Sequence, residues 1–119
     1  MLLQMTLRRD RAAAATARRA LEQVPLPGNG DTHRAAALLA TELINNAVLH
    51  GCGEEIRVEV TSANDRLRVE VCDEGDGFDP SQRTEREDPG GWGLGVVDAM
   101  SDDWGVYEGS THVWFELRT

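Results

Sequence analysis

Two glycine runs constrain this chain more than anything else in it: Asp73-Glu74-Gly75-Asp76-Gly77-Phe78 and Gly91-Trp92-Gly93-Leu94-Gly95. Glycine reaches positive φ and has no Cβ, so backbone built from it can come close to a ligand. The first run follows directly on an alternating apolar segment, and the second leads into a short helical one. A fold that accepts both must place two backbone-lined loops at the ends of regular elements. With an aspartate opening the first run, that arrangement predicts a nucleotide pocket made from loops. The polar groups such a pocket needs stand upstream, in Glu42-Leu43-Ile44-Asn45-Asn46-Ala47-Val48-Leu49-His50.

The remaining elements follow from patterning. Leu2 to Leu7 reads as a short strand, although its apolar residues do not alternate cleanly. Asp10 is placed to cap a helix from Arg11 to about Gln23, whose alanines permit close packing. Pro25, Pro27, Gly28 and Gly30 break the chain. Asp31 or Thr32 then caps a second helix from about His33 to His50, with Gly51 as a left-handed residue just past its end. On this helix Ala40, Leu43, Ile44, Ala47 and Val48 share one face, while Glu42, Asn45, Asn46 and Leu49 form the other. Glu42 and Asn46 stand one turn apart. An amphipathic helix wetting its polar side explains most of this pattern, but a mid-helix asparagine pair is mildly unfavourable and asks for a reason.

Ile56, Val58 and Val60 alternate with polar residues, as do Leu67, Val69 and Val71. Period-two alternation predicts an antiparallel pair joined by a turn at Ser62-Ala63-Asn64-Asp65, with one packed and one wet face. Asp79 to Gly90 is polar and aperiodic and reads as a mobile loop. A short helix from Leu94 to about Met100 follows. Strands Trp104 to Glu108 and Thr111 to Arg118 come next, joined at Gly109-Ser110, with Val113, Phe115 and Leu117 facing inward. Helices first and antiparallel strands after them predict an α+β two-layer sandwich: a mostly antiparallel sheet with helices on one face. The order is not βαβ, and no P-loop sequence is present, which sets aside the two commonest nucleotide-binding designs.

Composition narrows the partners. At 119 residues, one domain spanning 1–119 is expected. The net charge of −9 disfavours direct contact with nucleic acid or an anionic membrane. All 12 basic side chains other than histidine are arginine, so a phosphate can be met only by Arg, His, backbone N–H groups or a metal. Cys52 and Cys72 have neither metal-ligand nor disulfide-framework spacing and read as reduced thiols in a cytoplasmic protein, Cys72 as a packing residue. No signal segment or membrane span is evident. His33 and His112 show no partner in the sequence, and His50 suits a helix C-terminus.

For an acidic chain, binding a nucleoside triphosphate calls for Mg²⁺, which prefers oxygen ligands and takes few of them from protein. Asn46 offers a carbonyl oxygen without added charge, and Glu42 could take a proton from an attacking hydroxyl. Gly93 to Gly95, opening a helix, offers N–H groups to phosphates. Asp73 suits an exocyclic amine such as that of adenine. Arg83 or Arg86 could reach the terminal phosphate from the loop. Taken singly, each feature is an ordinary turn, loop or helix face; their order and spacing together carry the weight.

In that order the three motifs resemble the Asn box and the two glycine boxes of the GHKL ATPase/kinase superfamily. Val97-Asp98-Ala99-Met100, Trp104-Gly105-Val106 and the ending from Ser110 to Leu117 are similar, more narrowly, to bacterial anti-sigma-factor serine kinases of partner-switching systems. The resemblance implies the Bergerat ATP-binding fold, with ATP and Mg²⁺ as ligands. By motif position, Glu42 would be the general base and Asn46 the Mg²⁺ ligand. Asp73 would bind the adenine amine, with Gly75 and Gly77 shaping that pocket. Gly93 and Gly95 would approach the phosphates, Gly91 and Leu94 belong to the same nucleotide-binding box, and Thr111 would help to hold adenine. The resemblance further implies a kinase that phosphorylates a serine or threonine of an anti-sigma-factor antagonist and binds a sigma factor. A homodimer is implied too, since the family uses the N-terminal region partly for dimerisation.

The lid between the glycine boxes is short, lacks lysine and carries Glu85, Glu87 and Asp88. A second expectation is therefore a non-catalytic anti-sigma binding module, nucleotide-responsive or nucleotide-free. The ATP-binding half of a two-component histidine kinase fits less well, because the first histidine, His33, already lies at the start of the pocket helix.

Overall fold

In the computed structural model, the described residues are 1–74, 94–107 and 112–119. Their elements run β1 (Leu3–Arg8), α1 (Ala13–Glu22), α2 (Gly30–His50), β2 (Glu55–Ala63), β3 (Arg66–Cys72), α3 (Leu94–Met100), β4 (Asp103–Tyr107) and β5 (His112–Arg118). The strands form one sheet in the order β1-β2-β3-β5-β4, with every neighbouring pair antiparallel. The α+β two-layer arrangement expected from the sequence is the one found. The N-terminal segment, despite its irregular alternation, is an edge strand pairing Leu3 with Val60 and Leu7 with Ile56. Among the described residues no helix is long and apolar enough to cross a membrane.

The core lies between the sheet and the helices. Ile56, Val58, Val60, Leu67, Val69, Val71, Val113, Phe115 and Leu117 form its sheet side, all buried. From the helices come Leu39, Leu43 and Ile44 of α2, Leu21 of α1 and Val97 of α3. Burying such a side chain contributes about 1.5–3 kcal/mol. Ala13, Ala14 and Ala17 of α1 are buried with Ala36 and Ala40 of α2, so small side chains line both helices where they pack together.

Three local expectations need correction. Asp10 does not cap α1, which starts two residues later than expected. Its Oδ1 accepts from the Ala12 amide at 2.9 Å and its carbonyl from the Ala13 amide, closing a turn ahead of the helix. The cap of α2 is Asn29 rather than Asp31 or Thr32. Asn29 has an extended backbone, and its Oδ1 accepts from the Thr32 amide at 3.0 Å. Asp31 falls in the first turn instead, where its charge suits the helix dipole. Gly51 is not left-handed: at φ −79° and ψ −173° its backbone is extended, for a reason that belongs to the site below. The β2–β3 turn narrows to Asn64 and Asp65, with φ of 53° and 62°. Two left-handed residues make the two-residue hairpin that matches strand twist. The expected loop over 79–90 and turn at Gly109-Ser110 lie outside the described residues.

Asn29→Ala is expected to lower stability by about 1 kcal/mol, and Asn29→Gly by only about a few tenths. Chemical denaturation of the three proteins checks this.

Candidate nucleotide site

The site begins where the last turn of α2 meets the end of β3. Asp73 is the first residue past β3, and only 8% of its surface is exposed. A Cβ built on Gly51 would lie 2.9 Å from Asp73 Oδ2 and 3.0 Å from Asp73 Cβ, and closer still to the Ala47 carbonyl oxygen. Glycine is therefore required at position 51 by clearance, not by conformation. It lets the buried carboxylate come up against the C-terminal end of the helix.

Five further hydrogen bonds, made by Arg9 and Glu74, fix that junction, and none was evident from the sequence motifs. Arg9, just past β1, donates from Nη1 to the Val48 carbonyl at 2.6 Å and from Nε to the Gly53 carbonyl at 2.7 Å. It satisfies a carbonyl that the helix end leaves open. Glu74 Oε1 accepts from the Glu54 and Glu55 amides at 3.0 and 2.9 Å, and the Glu74 amide donates to the Cys52 carbonyl. Gly53, at φ +85°, makes room for the Glu74 side chain, which would stand 2.6 Å from an added Cβ. Asp73 is thus flanked by a strand on one side and a stitched loop on the other. The Gly51-Cys52-Gly53 spacing is the one sequence signal that could have pointed here; Arg9 gave none.

One turn back from Gly51 stands Asn46. Its position three residues after Leu43 sets it at the margin of the apolar stripe, so α2 does not divide as the sequence pattern suggested. Asn46 is 8% exposed and Glu42 half-buried, whereas Asn45 is exposed and Leu49 is 73% exposed. Asn46 Nδ2 is buried and has no hydrogen-bond partner among the described residues. A buried amide group left unpaired costs about 1–3 kcal/mol. Rotation about the terminal torsion of Asn46 exchanges its amide nitrogen and oxygen, so this end can meet either an acceptor or a cation. Glu42 lies about 6 Å further along the axis, at 1.5 Å per residue, and on the same side as Asn46.

Gly95 and the backbone of Leu94 open α3, which packs against α2 and is anchored by the buried Val97. The end of the second glycine run is thereby brought to the helix that carries Glu42 and Asn46. Gly75, Gly77, Gly91, Gly93, Thr111, Arg83 and Arg86 lie outside the described residues. The structure thus joins Asp73 to the end of α2 and sets α3 beside the same helix.

The histidine kinase-like ATPase domain family matches residues 6–117. The chain belongs to that family. No curated protein matches it. A histidine kinase-like ATPase domain binds ATP, and the described residues leave the buried Asn46 amide nitrogen without a hydrogen-bond partner.

Replacing Asn46 by leucine, of similar volume, removes the unpaired amide. Asn46→Leu is expected to raise the apo melting midpoint while removing the shift produced by Mg-ATP. Gly51→Ala is expected to do the opposite to the apo protein, lowering its midpoint, because neither the Ala47 carbonyl nor Asp73 can yield without moving backbone. Differential scanning fluorimetry with and without nucleotide reads both.

Proposed function

We propose that this histidine kinase-like ATPase domain is a serine/threonine protein kinase of a partner-switching system. It phosphorylates a serine of an anti-sigma-factor antagonist and sequesters a sigma factor when the antagonist is phosphorylated. The observation that best supports an ATP-dependent transfer is the pairing on α2 of a half-buried carboxylate, Glu42, with a buried amide, Asn46, one turn away, whose nitrogen has no partner among the described residues. The choice of substrate and partners rests on the resemblance of the sequence from Trp92 to Val106 and from Ser110 to Leu117.

Asp73 accepts a hydrogen bond from the exocyclic amine of adenine. The glycine runs admit the sugar and phosphates. Asn46 would hold Mg²⁺ through its amide oxygen. When bound, the cation neutralises phosphate charge that this acidic chain has no lysine to meet. Glu42 takes the proton of the attacking serine hydroxyl as the new oxygen–phosphorus bond forms and the bond to the bridging β-phosphate oxygen breaks, releasing ADP. Most of the catalysis in such a transfer is positioning and charge stabilisation, which suits a buried site with few titrating groups. The protein acts in the cytoplasm, as a homodimer, on protein partners rather than on nucleic acid.

The second reading, a binding module without turnover, is favoured by Glu85, Glu87 and Asp88 in the lid sequence. Glu42→Gln separates the two. Transfer of labelled γ-phosphate to an antagonist protein should fall by about 10²–10⁴-fold in Glu42→Gln with Mg-ATP affinity retained, as expected for loss of a general base. No transfer by the wild type at saturating Mg-ATP, with sigma-factor binding intact, would establish the binding module instead.

A further inference from the structure

The face of the sheet turned away from the helices carries a second constellation that nucleotide binding does not use. Arg57, Cys72 and His112 stand directly opposite one another on β2, β3 and β5, in a row across three strands. Cys72 Sγ lies 3.3 Å from His112 Nε2, and His112 Nδ1 lies 3.0 Å from Glu70 Oε2. Arg57 Nη2 reaches Sγ at 3.6 Å. This corrects two sequence expectations, since Cys72 is not a packing residue and His112 has partners.

The hydrogen bonds fix the direction of proton flow. An ionised carboxylate only accepts, so Glu70 holds the proton of the neutral imidazole on Nδ1. Nε2 is then an acceptor facing the thiol, which can donate either to it or to the Asp73 carbonyl, each 3.3 Å from Sγ. Nucleophile, base and orienting acid follow in sequence, the arrangement by which an unionised nucleophile is activated. Burial pushes the Cys72 thiol above its ordinary range, with Asp73 and Glu70 adding to the rise and Arg57 opposing it. At neutral pH the group is therefore a thiol that needs His112 to react, rather than a standing thiolate. A metal is not the natural ligand, because among the described residues no cluster of His, Cys, Asp and Glu is arranged to hold one.

The thiol opens onto a cleft of about 340 Å³ lined by Thr6, Glu55, Arg57, Cys72, Asp73 and Glu74. Glu55 and Glu74 outnumber the one guanidinium of Arg57 there, a balance that disfavours an anionic reagent and admits a small neutral one. We propose that Cys72, His112 and Glu70 form a peroxide-reactive thiol site on the outer face of the sheet, and that its oxidation weakens nucleotide binding through Asp73. Sγ attacks one oxygen of hydrogen peroxide while His112 Nε2 takes the thiol proton. The O–O bond breaks, and the proton passes to the departing hydroxide as water. Cys72 is oxidised to the sulfenic acid and the peroxide is reduced. Sγ already lies 3.3 Å from the Asp73 carbonyl oxygen, so an oxygen added there crowds the residue proposed to read adenine.

The test uses the full chain with Cys52→Ser, leaving Cys72 as its one thiol. Sulfenic acid formed by hydrogen peroxide at pH 7 is trapped with dimedone and located by mass spectrometry. Labelling of Cys72 is expected to be faster in the folded than in the urea-unfolded protein. It should slow by about tenfold or more in His112→Gln, by the usual scale of general-base assistance, and less in Glu70→Gln. Neutral iodoacetamide should also outpace anionic iodoacetate at Cys72. Equal rates in the folded and unfolded protein, or an unchanged rate in a folded His112→Gln, overturn the site. The coupling to nucleotide rests on the reading of Asp73 above: the Mg-ATP melting shift should shrink on oxidation, and an undiminished shift overturns the coupling. If the reduced protein shows no shift at all, the nucleotide reading fails by itself, and the labelling rates still decide the thiol site.

Discussion

Everything in the proposed site hangs on one junction, the close approach of the Asp73 carboxylate to the C-terminal end of α2. A helix end presents open carbonyl oxygens and the negative end of a dipole, which is a poor place to bring a buried acid. The chain meets this cost in three ways. Gly51 removes the Cβ that would stand between helix and carboxylate. Arg9 supplies a cation to the Val48 carbonyl. Glu74 ties the returning loop to the start of β2. Each comes from a different part of the chain, so the position of Asp73 depends on β1, α2, β2 and β3 being assembled together.

The two faces of the sheet differ sharply in chemistry. Its inner face is aliphatic apart from Phe115 and Trp104, and against the helices it provides the floor at whose edge Asp73 stands. Its outer face is a polar lattice. Arg68 bonds Glu70 and Glu116 and lies 4.2 Å from the Trp114 ring centre, and Arg66 pairs with Glu116. Glu59 and Glu70 stand directly opposite, which is unfavourable for like charges; Arg68 offsets the charge of Glu70, and His112 hydrogen-bonds it. Surface pairs of this kind contribute little stability each. The Cys72–His112–Glu70 row is embedded in this lattice, one residue away from Asp73 in sequence but on the opposite face.

Much of the fold was legible because its signals are local and periodic. Strict alternation in β2, β3 and β5 gave the strands and their inward residues, and Asn46 and Asp73 stood out by motif. What was not legible depends on contacts far apart in sequence. Arg9 acts 39 residues away on Val48, and no pattern near Arg9 marks it. His112 had no visible partner until the β3–β5 register set it opposite Cys72, 40 residues distant. Gly51 was expected to bend the chain, and only the position of Asp73 shows that it is there to be small. The caps moved for a subtler reason: Asn29, Asp31 and Thr32 are all competent, and backbone conformation decides among them.

If the buried Asp73 is held where it is in order to bind adenine, removing its charge removes nucleotide recognition. The most direct measurement is the thermal unfolding midpoint with and without Mg-ATP, for wild type and Asp73→Asn. A ligand bound only by the native state stabilises it by about 2.7 kcal/mol at a hundredfold excess over its Kd, enough to raise the midpoint by several degrees in a domain of this size. That rise is expected in the wild type, and its loss in a folded Asp73→Asn. An equal rise in both proteins would contradict it, because adenine would then be recognised elsewhere.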